Sequence, residues 1–385
     1  MAEKEKRVGN AVRKENSVKS FKRSMTFAVI MLLVVIAAFA GLKIAEKTSV
    51  EALSSEKSSG GAYPVSFSTN DIKDVKKAGN NIVVLTKKFA TVLSKGGNII
   101  SETAVVYGDS AVYAETNNIL VFDRLSNKYV IIDKKGNTTE RKTSLSNKIY
   151  NAKITDDGRV LLSLKSDNSS SLVSVTDKNG KDTFVWSCTQ EYIADFGVSD
   201  NGKTLYLAGI SAEGGEMYTM VYAVNMKKGT EKSYKIPSEA LIALNEISSD
   251  KFSVLTNEGI YIFDSSKDEM LINSISFDSE LLYWSADEKG NVAVVTHSSG
   301  NLAEDMLIVY SANGKEEYSV SLQTGIQDLC IDKDEAYLLY QDCVVAVKNG
   351  KVDDKLTFEN KTVGLCKNGR QLYCYSLGGV EKAKG

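Results

Sequence analysis

Ile193–Ala208, with the sequence IADFGVSDNGKTLYLA, contains the pattern that recurs through most of this chain. Its two ends are rich in apolar and aromatic residues, and the segment Ser199–Lys203 between them reads Ser-Asp-Asn-Gly-Lys. Glycine adopts a positive φ without steric cost and Asn or Asp tolerates one, so such a segment closes a tight turn. The stretch therefore predicts two antiparallel strands joined as a β-hairpin.

The same type of turn recurs along the chain, with Asp or Asn before Gly and with Lys, Arg or Asn after it. The eight turns are Asp133–Asn137, Asp156–Arg159, Asp177–Lys181, Asp200–Lys203, Asp287–Asn291, Asn313–Lys315, Asn349–Lys351 and Asn368–Arg370. The runs between them have the length of strands and are rich in Val, Ile, Leu and Tyr. None of these runs shows the periodicity of a helix, so the sequence predicts an all-β fold.

The strands fall into repeating units. Unit starts lie near Asn80, Asp109, Asp157, Asn201, Asp250, Gly290, Asp334 and Asn368, with spacings that centre near 41 residues. That period is typical of a four-stranded propeller blade. A string of immunoglobulin-like modules would instead break into ~100-residue domains joined by linkers, and no linker follows Gly61.

We therefore expect residues 62–385 to form a single β-propeller. Seven intervals separate the eight unit starts, which predicts seven blades, with eight as the alternative. The last unit, Val363–Leu377, is too short for a whole blade. Its strands are expected to complete a sheet that the segment Tyr63–Ser68 begins.

The N-terminal part of the chain predicts a membrane anchor. Met25–Leu42 is eighteen residues long without a charge, nearly enough to span the ~30 Å hydrocarbon core of a bilayer as a helix. Residues 1–24 carry eight basic and three acidic side chains, and positive flanks stay in the cytoplasm. Residues 43–61 predict a juxtamembrane extension of the helix followed by a flexible linker.

This layout predicts a single-pass protein of the cell membrane with a cytoplasmic tail at 1–24, a transmembrane helix at 25–42 and an extracellular C-terminal domain. The alternative is a cleaved secretory signal, because Ala38–Ala40 fits an A-x-A cleavage site. The long basic lead and the long apolar run favour an uncleaved anchor.

Two stretches resemble known propellers. Ile193–Ala208 and Asn151–Gly158 share an apolar segment followed by Ser or Thr-Asp-x-Gly, the pattern of WD40-like and quinoprotein-like propellers. The whole layout is similar to an uncharacterised family of bacterial single-pass membrane proteins with an extracytoplasmic propeller. The resemblance implies an architecture and no activity.

The sequence assigns no catalytic, cofactor-binding or metal-binding residue. Asp177–Asp182 has alternating oxygen ligands of the kind Ca²⁺ prefers, but Cys188 stands where the twelfth ligand of an EF-hand loop belongs, so we interpret it as a hairpin turn. His297 is the single histidine, and the sequence indicates neither the further ligands of a zinc site nor the nucleophile of a catalytic triad. Adjacent cysteines, which a quinone-dependent dehydrogenase would use, do not occur.

Five cysteines without a CxxC pair are expected to be free, buried thiols. If one disulfide does form, Cys330 and Cys366 are the first pair to consider, because they occupy similar places in successive units. Trp186 and Trp284 are expected to wedge between blades, and the neighbouring Tyr192 and Tyr283 are candidates for a binding face.

Beyond residue 24, acidic side chains outnumber basic ones, which argues against nucleic acid as a partner. The hypothesis is a membrane-anchored, non-catalytic binding or scaffolding module for a protein or a cell-envelope polymer at the cell surface. The alternative is a cell-surface hydrolase or lyase whose carboxylates gather from different blades near the propeller axis.

Overall fold

In a computed structural model, the described residues are 61–68, 70–105, 107–124, 126–143, 147–297 and 304–384. They form eight four-stranded antiparallel sheets, which are the blades of a β-propeller. The predicted tail and the predicted span Met25–Leu42 lie outside the described residues. Among the residues it describes, the structure has no helix that is long and apolar enough to cross a bilayer.

The strands are numbered along the chain, and β1 is Val65–Ser66. Blade 1 comprises β2 (Asp74–Ala78), β3 (Asn81–Leu85), β4 (Phe89–Leu93) and β5 (Ile99–Ala104). Blade 2 comprises β6 (Ser110–Ala114), β7 (Asn118–Asp123), β8 (Lys128–Asp133) and β9 (Thr138–Lys142). Blade 3 comprises β10 (Ile149–Ile154), β11 (Val160–Leu164), β12 (Ser171–Thr176) and β13 (Asp182–Cys188). Blade 4 comprises β14 (Tyr192–Val198), β15 (Thr204–Glu213), β16 (Glu216–Asn225) and β17 (Thr230–Pro237).

The second half of the ring repeats this arrangement. Blade 5 comprises β18 (Leu241–Glu246), β19 (Lys251–Thr256), β20 (Gly259–Asp264) and β21 (Leu271–Ser276). Blade 6 comprises β22 (Leu281–Ala286), β23 (Val292–His297), β24 (Glu304–Tyr310) and β25 (Glu316–Gln323). Blade 7 comprises β26 (Asp328–Asp332), β27 (Glu335–Leu339), β28 (Val344–Lys348) and β29 (Lys351–Leu356). Blade 8 comprises β30 (Gly364–Asn368), β31 (Gln371–Tyr375), β32 (Gly379–Lys382) and β1.

Blade 8 closes the ring by joining the two ends of the propeller. Val65 of β1 pairs with Val380 of β32, so the N-terminal strand becomes the outermost strand of the C-terminal sheet. The expectation that this segment completes the last unit is confirmed. The expectation of seven blades is wrong and the alternative of eight is right, because the unit counted as partial gains its fourth strand from the other end.

Tyr63 strengthens this closure just before β1. Its ring lies 5.1 Å from the ring of Tyr373, centroid to centroid, and its hydroxyl donates to the backbone oxygen of Ser94 at 3.1 Å. The Nζ of Lys382 lies 4.9 Å from the centroid of the same ring. Tyr63 thus ties the start of the propeller to blades 1 and 8.

All eight predicted turns connect consecutive strands, and their glycines have φ between +57° and +87°. Each turn lies either between the first and second strands of a blade or between the third and fourth. Antiparallel strands therefore place all eight at one face of the ring, which we call the lower face. The upper face carries the connections from second to third strands and from one blade to the next.

The core lies between adjacent blades. Between blades 4 and 5, for example, Phe252 stacks between Tyr206 and Phe263, with ring centroids 4.2 and 5.1 Å apart. First strands of successive blades lie next to one another, as β14 and β18 or β26 and β30 do, and β30 meets β2, so these strands surround the axis. Fourth strands such as β13 alternate exposed and half-buried residues, as expected at the outer rim.

Candidate functional site

A pocket of about 420 Å³ opens on the upper face between blades 3 and 4. It is lined by Tyr150, Tyr192, Thr189 and the connection Lys165–Ser170, and we call it the tyrosine pocket. Tyr150 and Tyr192 lie at the upper ends of the first strands β10 and β14. They are 50% and 63% exposed, which is unusual for large aromatic side chains.

A buried carboxylate fixes the backbone beside Tyr192. Glu191 is 0% exposed, and its two oxygens accept hydrogen bonds from Tyr218 Oη at 3.0 Å and Tyr222 Oη at 2.9 Å. The Sγ of Cys188 also donates to it, at 2.7 Å. A carboxylate that is buried with three donors holds its segment firmly, because releasing it would leave several polar groups unpaired. Tyr192 therefore extends from a rigid point of the chain.

The rest of the pocket wall is also tied down by hydrogen bonds. Asn147 Nδ2 donates to the backbone oxygen of Lys165 at 2.5 Å, and Ser170 Oγ donates to the backbone oxygen of Thr189 at 2.8 Å. Within the described chain, no side-chain partner engages the ammonium of Lys165, nor the polar groups of Asp167 and Asn168. The wall is thus held by its backbone while its polar side chains are available to a ligand.

Blade 4 is enlarged at this same face. Its strands β15 and β16 have ten residues each and continue past the pocket to a turn at Gly214 and Gly215. Ile210 in the extension pairs with Tyr192, and Ser211 Oγ donates to the backbone oxygen of Gln190 at 2.9 Å. The hairpin therefore raises a wall on the blade 4 side of the tyrosine pocket.

A second groove, of about 510 Å³, lies on the lower face between blades 2 and 3. Many of its polar groups are occupied by contacts between the two blades. Asn118 Nδ2 donates to the backbone oxygens of Thr155 and Asp156, and Arg141 donates to the backbone oxygen of Lys178 at 2.6 Å. We interpret this groove as a packed joint between blades rather than a site.

A cluster of charged side chains lies at the axis. Lys153 of blade 3 makes an ion pair with Asp195 of blade 4, with 2.8 Å between Nζ and Oδ1, and its side chain is 13% exposed. Its Nζ also lies 5.6 Å from the ring centroid of Tyr113 in blade 2. Glu246 of blade 5 completes the group, and a Cβ at Gly197 would overlap its carboxylate, so glycine leaves the space that Glu246 fills.

The axial charges shift one another's pKa values. Burial acts to lower the pKa of Lys153, but the charges of Asp195 and Glu246 outweigh it and hold that pKa above its usual value. Burial raises the pKa of Glu246, and Lys153 offsets this only in part. The cluster is therefore held together by the lysine.

Another axial carboxylate, Glu115, has a raised pKa. Burial raises its pKa to about 7, although Tyr113 Oη donates a hydrogen bond to Oε1 at 3.1 Å, which acts in the opposite direction.

Across the lower mouth of the ring, Lys77 of blade 1 pairs with Glu288 of blade 6, with 2.5 Å between Nζ and Oε1. These blades are not neighbours, so this ion pair bridges the opening.

Two axial aspartates join successive blades. Asp195 accepts the N–H of Phe196 and, in the next blade, that of Leu244, at 2.9 and 2.8 Å. Asp328 of blade 7 repeats this geometry with Leu329 and with Leu365 of blade 8. These carboxylates therefore position backbone rather than a ligand.

The residues singled out from sequence have diverse positions. Trp186 donates from Nε1 to Glu231 at 3.0 Å and its ring lies 5.2 Å from that of Tyr222, so it wedges between blades 3 and 4 as predicted. Trp284 is 36% exposed on β22 and does not fit that role. Tyr283 packs into the core between blades 6 and 7, whereas Tyr192 is exposed on the upper face.

Asp177 caps a turn. Its Oδ1 accepts the N–H groups of Asn179 and Lys181 at 2.8 and 2.9 Å, so the segment is the hairpin turn between β12 and β13. His297 Nδ1 lies 3.2 Å from Oδ1 of Asp305, its cross-strand neighbour. Within the part of the chain that the structure describes, no three His, Cys, Asp or Glu side chains are grouped to hold a metal ion.

The five cysteines are free. Cys330 and Cys366 occupy equivalent places on the first strands β26 and β30, as their spacing predicted. Burial raises the pKa of each thiol to about 12, so neither is a reactive thiolate at neutral pH.

Eight four-stranded sheets, the last of which is completed by β1, define the chain as a β-propeller protein. It belongs to a family of unknown function, DUF5711, whose profile matches residues 61–383.

Solved structures share the fold at low identity. BamB from Moraxella catarrhalis is 12% identical with a TM-score of 0.54, over 84% of this chain and 99% of BamB. Apo AztD from Citrobacter koseri is 11% identical with a TM-score of 0.54, over 82% of this chain and 90% of AztD. A virginiamycin B lyase from Staphylococcus aureus, with a TM-score of 0.46 and 12% identity over 72% of this chain and 94% of the lyase, is too distant to bear on activity.

Among curated proteins, a stretch of 120 residues is 32% identical to glutamate--tRNA ligase of Bacteroides fragilis. It covers 29% of this chain and 23% of the ligase, so the chain spans about a quarter of the length of that relative.

Proposed function

We propose that this protein is a membrane-anchored, non-catalytic binding module whose propeller lies outside the cytoplasm and binds a partner at its upper face. The tyrosine pocket is the observation that carries the proposal. Aromatic side chains offer a large contact area at a small cost in conformational entropy, and Ser and Asn provide adaptable hydrogen bonds. Tyr150, Tyr192 and the loop Lys165–Ser170 combine these two kinds of side chain.

Rigidity of the pocket supports the same proposal. Binding loses affinity when a loop must first be ordered, and a pre-organised surface avoids that cost. Glu191 and the hydrogen bonds of Asn147 and Ser170 fix the backbone around the two exposed rings. A propeller face that is held in this way suits a platform for a partner.

Crosslinking in living cells tests the binding role. A photo-crosslinking amino acid at Tyr192 should capture a macromolecule, whereas the same amino acid at Val352, an exposed position on the outer strand β29, should not. Equal capture at both positions, or none at Tyr192, would contradict a binding site at the upper face.

The membrane anchor and the orientation come from the charge asymmetry around residues 25–42. Protease added to intact cells is expected to remove the propeller. If the protease trims only the N-terminal tail, the orientation is the reverse. If the exported protein begins at Gly41, the segment is a cleaved signal.

The alternative function, a surface hydrolase or lyase, is favoured by one observation. Glu115, Asp195 and Glu246 come from three blades, and all three are close enough to Lys153 to raise its pKa. A carboxylate with a pKa near 7 suits general acid–base chemistry. Asp195, however, is committed to Lys153 and to two backbone N–H groups.

An activity assay separates the two functions. The binding module predicts that the purified protein releases no reducing ends or unsaturated sugars from cell-envelope polymers. Release by the wild type that is lost in Glu115→Gln, with the fold retained by circular dichroism, would establish the enzyme instead.

A further inference from the structure

We infer that the ligand of the tyrosine pocket is a polysaccharide, with the rings of Tyr150 and Tyr192 stacked on the faces of sugar rings. This inference rests on the proposed binding role of the upper face and names the chemistry of its partner. A polysaccharide and a protein would make different demands on the pocket, and the lining residues meet the demands of a polysaccharide.

The described lining of the pocket lacks the aliphatic side chains that are usual at the core of a protein–protein interface. The core of a protein–protein interface is apolar, and its anchors fill apolar pockets. Among the described residues that line the tyrosine pocket, none has an aliphatic side chain; they are Tyr150, Lys165, Ser166, Asp167, Asn168, Ser169, Ser170, Thr189 and Tyr192. Of these described residues, the two tyrosines alone offer large apolar surfaces.

A pyranose ring has the complementary chemistry. One or both of its faces present C–H bonds, and the negative face of an aromatic ring attracts such weakly positive hydrogens. The rim of the sugar carries hydroxyl groups, each of which both donates and accepts hydrogen bonds. A sugar site therefore needs exposed aromatic faces together with mixed donors and acceptors.

The polar lining supplies that mixture. Lys165 provides a donor, Asp167 an acceptor, and Asn168 both, and the described chain gives none of these side chains a partner of its own. An anionic ligand such as a phosphate would prefer clustered Arg or Lys, but here one lysine lies beside a carboxylate. A neutral, hydroxyl-rich ligand fits this balance of charge.

Size and position fit a polymer rather than a free sugar. A volume of about 420 Å³ falls within the range of small-ligand pockets, about 300–1,000 Å³. Tyr150 and Tyr192 belong to successive blades, so a ligand that contacts both rings extends from one blade to the next. A chain of sugars can do this and continue over the exposed surface.

The test uses the full-length protein in detergent and an array of immobilised bacterial polysaccharides and peptidoglycan fragments as the probe. We expect the wild type to bind at least one immobilised glycan. Tyr150→Ala and Tyr192→Ala should each weaken that binding about tenfold, since each removes one stacked ring. Tyr192→Phe keeps the ring and should stay within about threefold of the wild type.

Val185→Ala is the matched control, because Val185 is an exposed apolar residue on the outer strand β13 of blade 3, the blade that also carries Tyr150. It should bind like the wild type. Wild-type protein that binds no glycan on the array, or alanine variants that bind as well as the wild type, would overturn the inference.

The crosslinked adduct at Tyr192 distinguishes this failure from a failure of the proposed function. An adduct that is shortened by glycan-degrading enzymes supports a polysaccharide. An adduct that resists them but is cleaved by protease identifies a protein, which overturns the inference while the binding module stands. The absence of both an adduct and glycan binding overturns both.

Discussion

Replacing Glu115 by glutamine tests whether the axis holds a proton near neutral pH. Burial raises the pKa of Glu115 from 4.5 to about 7, so between these values the folded protein keeps a proton that the unfolded chain releases. A carboxyl group with a raised folded-state pKa favours folding below its unfolded pKa, and that advantage is lost as the pH rises through the folded pKa. The free energy of unfolding should therefore fall as the pH rises from about 4.5 to 7.

The magnitude follows from the two pKa values. Each pH unit in this interval lowers the free energy of unfolding by up to about 1.4 kcal/mol, which gives a total loss of roughly 3 kcal/mol. Because Glu115 is only partly buried, we expect about 2 kcal/mol in practice. Glutamine stays neutral at every pH and still accepts the hydrogen bond of Tyr113. Glu115→Gln should thus match the wild type at pH 4 and exceed its stability by about 2 kcal/mol at pH 8.

Urea unfolding at a series of pH values, followed by circular dichroism, measures this difference. Glu213→Gln is the control, because Glu213 is exposed and its pKa is lowered by the hydrogen bond from Lys235, so it stays ionised throughout the interval. If the stability curves of the wild type and Glu115→Gln run parallel from pH 4 to pH 8, the carboxyl group does not carry a proton and the reasoning fails.

Three further predictions concern closure, axis and thiols, and urea unfolding measures the first two. Tyr63→Ala should lower the unfolding free energy by about 3–5 kcal/mol, and Tyr63→Phe by about 1 kcal/mol through its lost hydrogen bond; equal losses would mean that the ring contacts are unimportant. Lys153→Met leaves Asp195 without its cation and should lower the unfolding free energy by about 3–5 kcal/mol. Adding Asp195→Asn to this variant should restore part of the loss, and an unfolding free energy that does not recover would refute the pairing. At pH 8, Cys366 and Cys374 should react with a thiol reagent much more slowly in the folded protein than in urea, because burial raises the pKa of each to about 12; rapid reaction of the folded protein would show that they are accessible.

The strands and turns could be predicted because their signals are local. A glycine after Asp or Asn requires only its immediate neighbours to form a turn, as the turns Asp177–Lys181 and Asp200–Lys203 show. The number of blades depended instead on a contact between β1 and β32, which are the first and last strands of the propeller. No local pattern encodes that pairing, and the partial last unit therefore led to the wrong number.

The candidate site was predictable only in part, for the same reason. Tyr192 stood out as an aromatic residue near a turn, but Glu191 beside it gave no signal, since a glutamate between polar residues usually faces solvent. Its burial depends on Tyr218 and Tyr222, which the folded β16 brings to it. Tyr150 could have been found by aligning the starts of β10 and β14, where both tyrosines occupy the upper end of a first strand.

We assign stability and binding to different parts of the ring. The lower face carries the eight glycine turns, and the axis is occupied by charges such as Lys153 and Asp195 that bind one another and the backbone of successive blades. Several lower-face side chains, such as Asn118 and Arg141, also bond from one blade to the next. The upper face is where the blades differ, through the connection Lys165–Ser170 and the long hairpin of β15 and β16. Loops that vary on a fixed scaffold are where binding residues concentrate. Substitutions at the axis should therefore change stability, whereas substitutions of Tyr192 should change binding and leave the unfolding free energy unaltered.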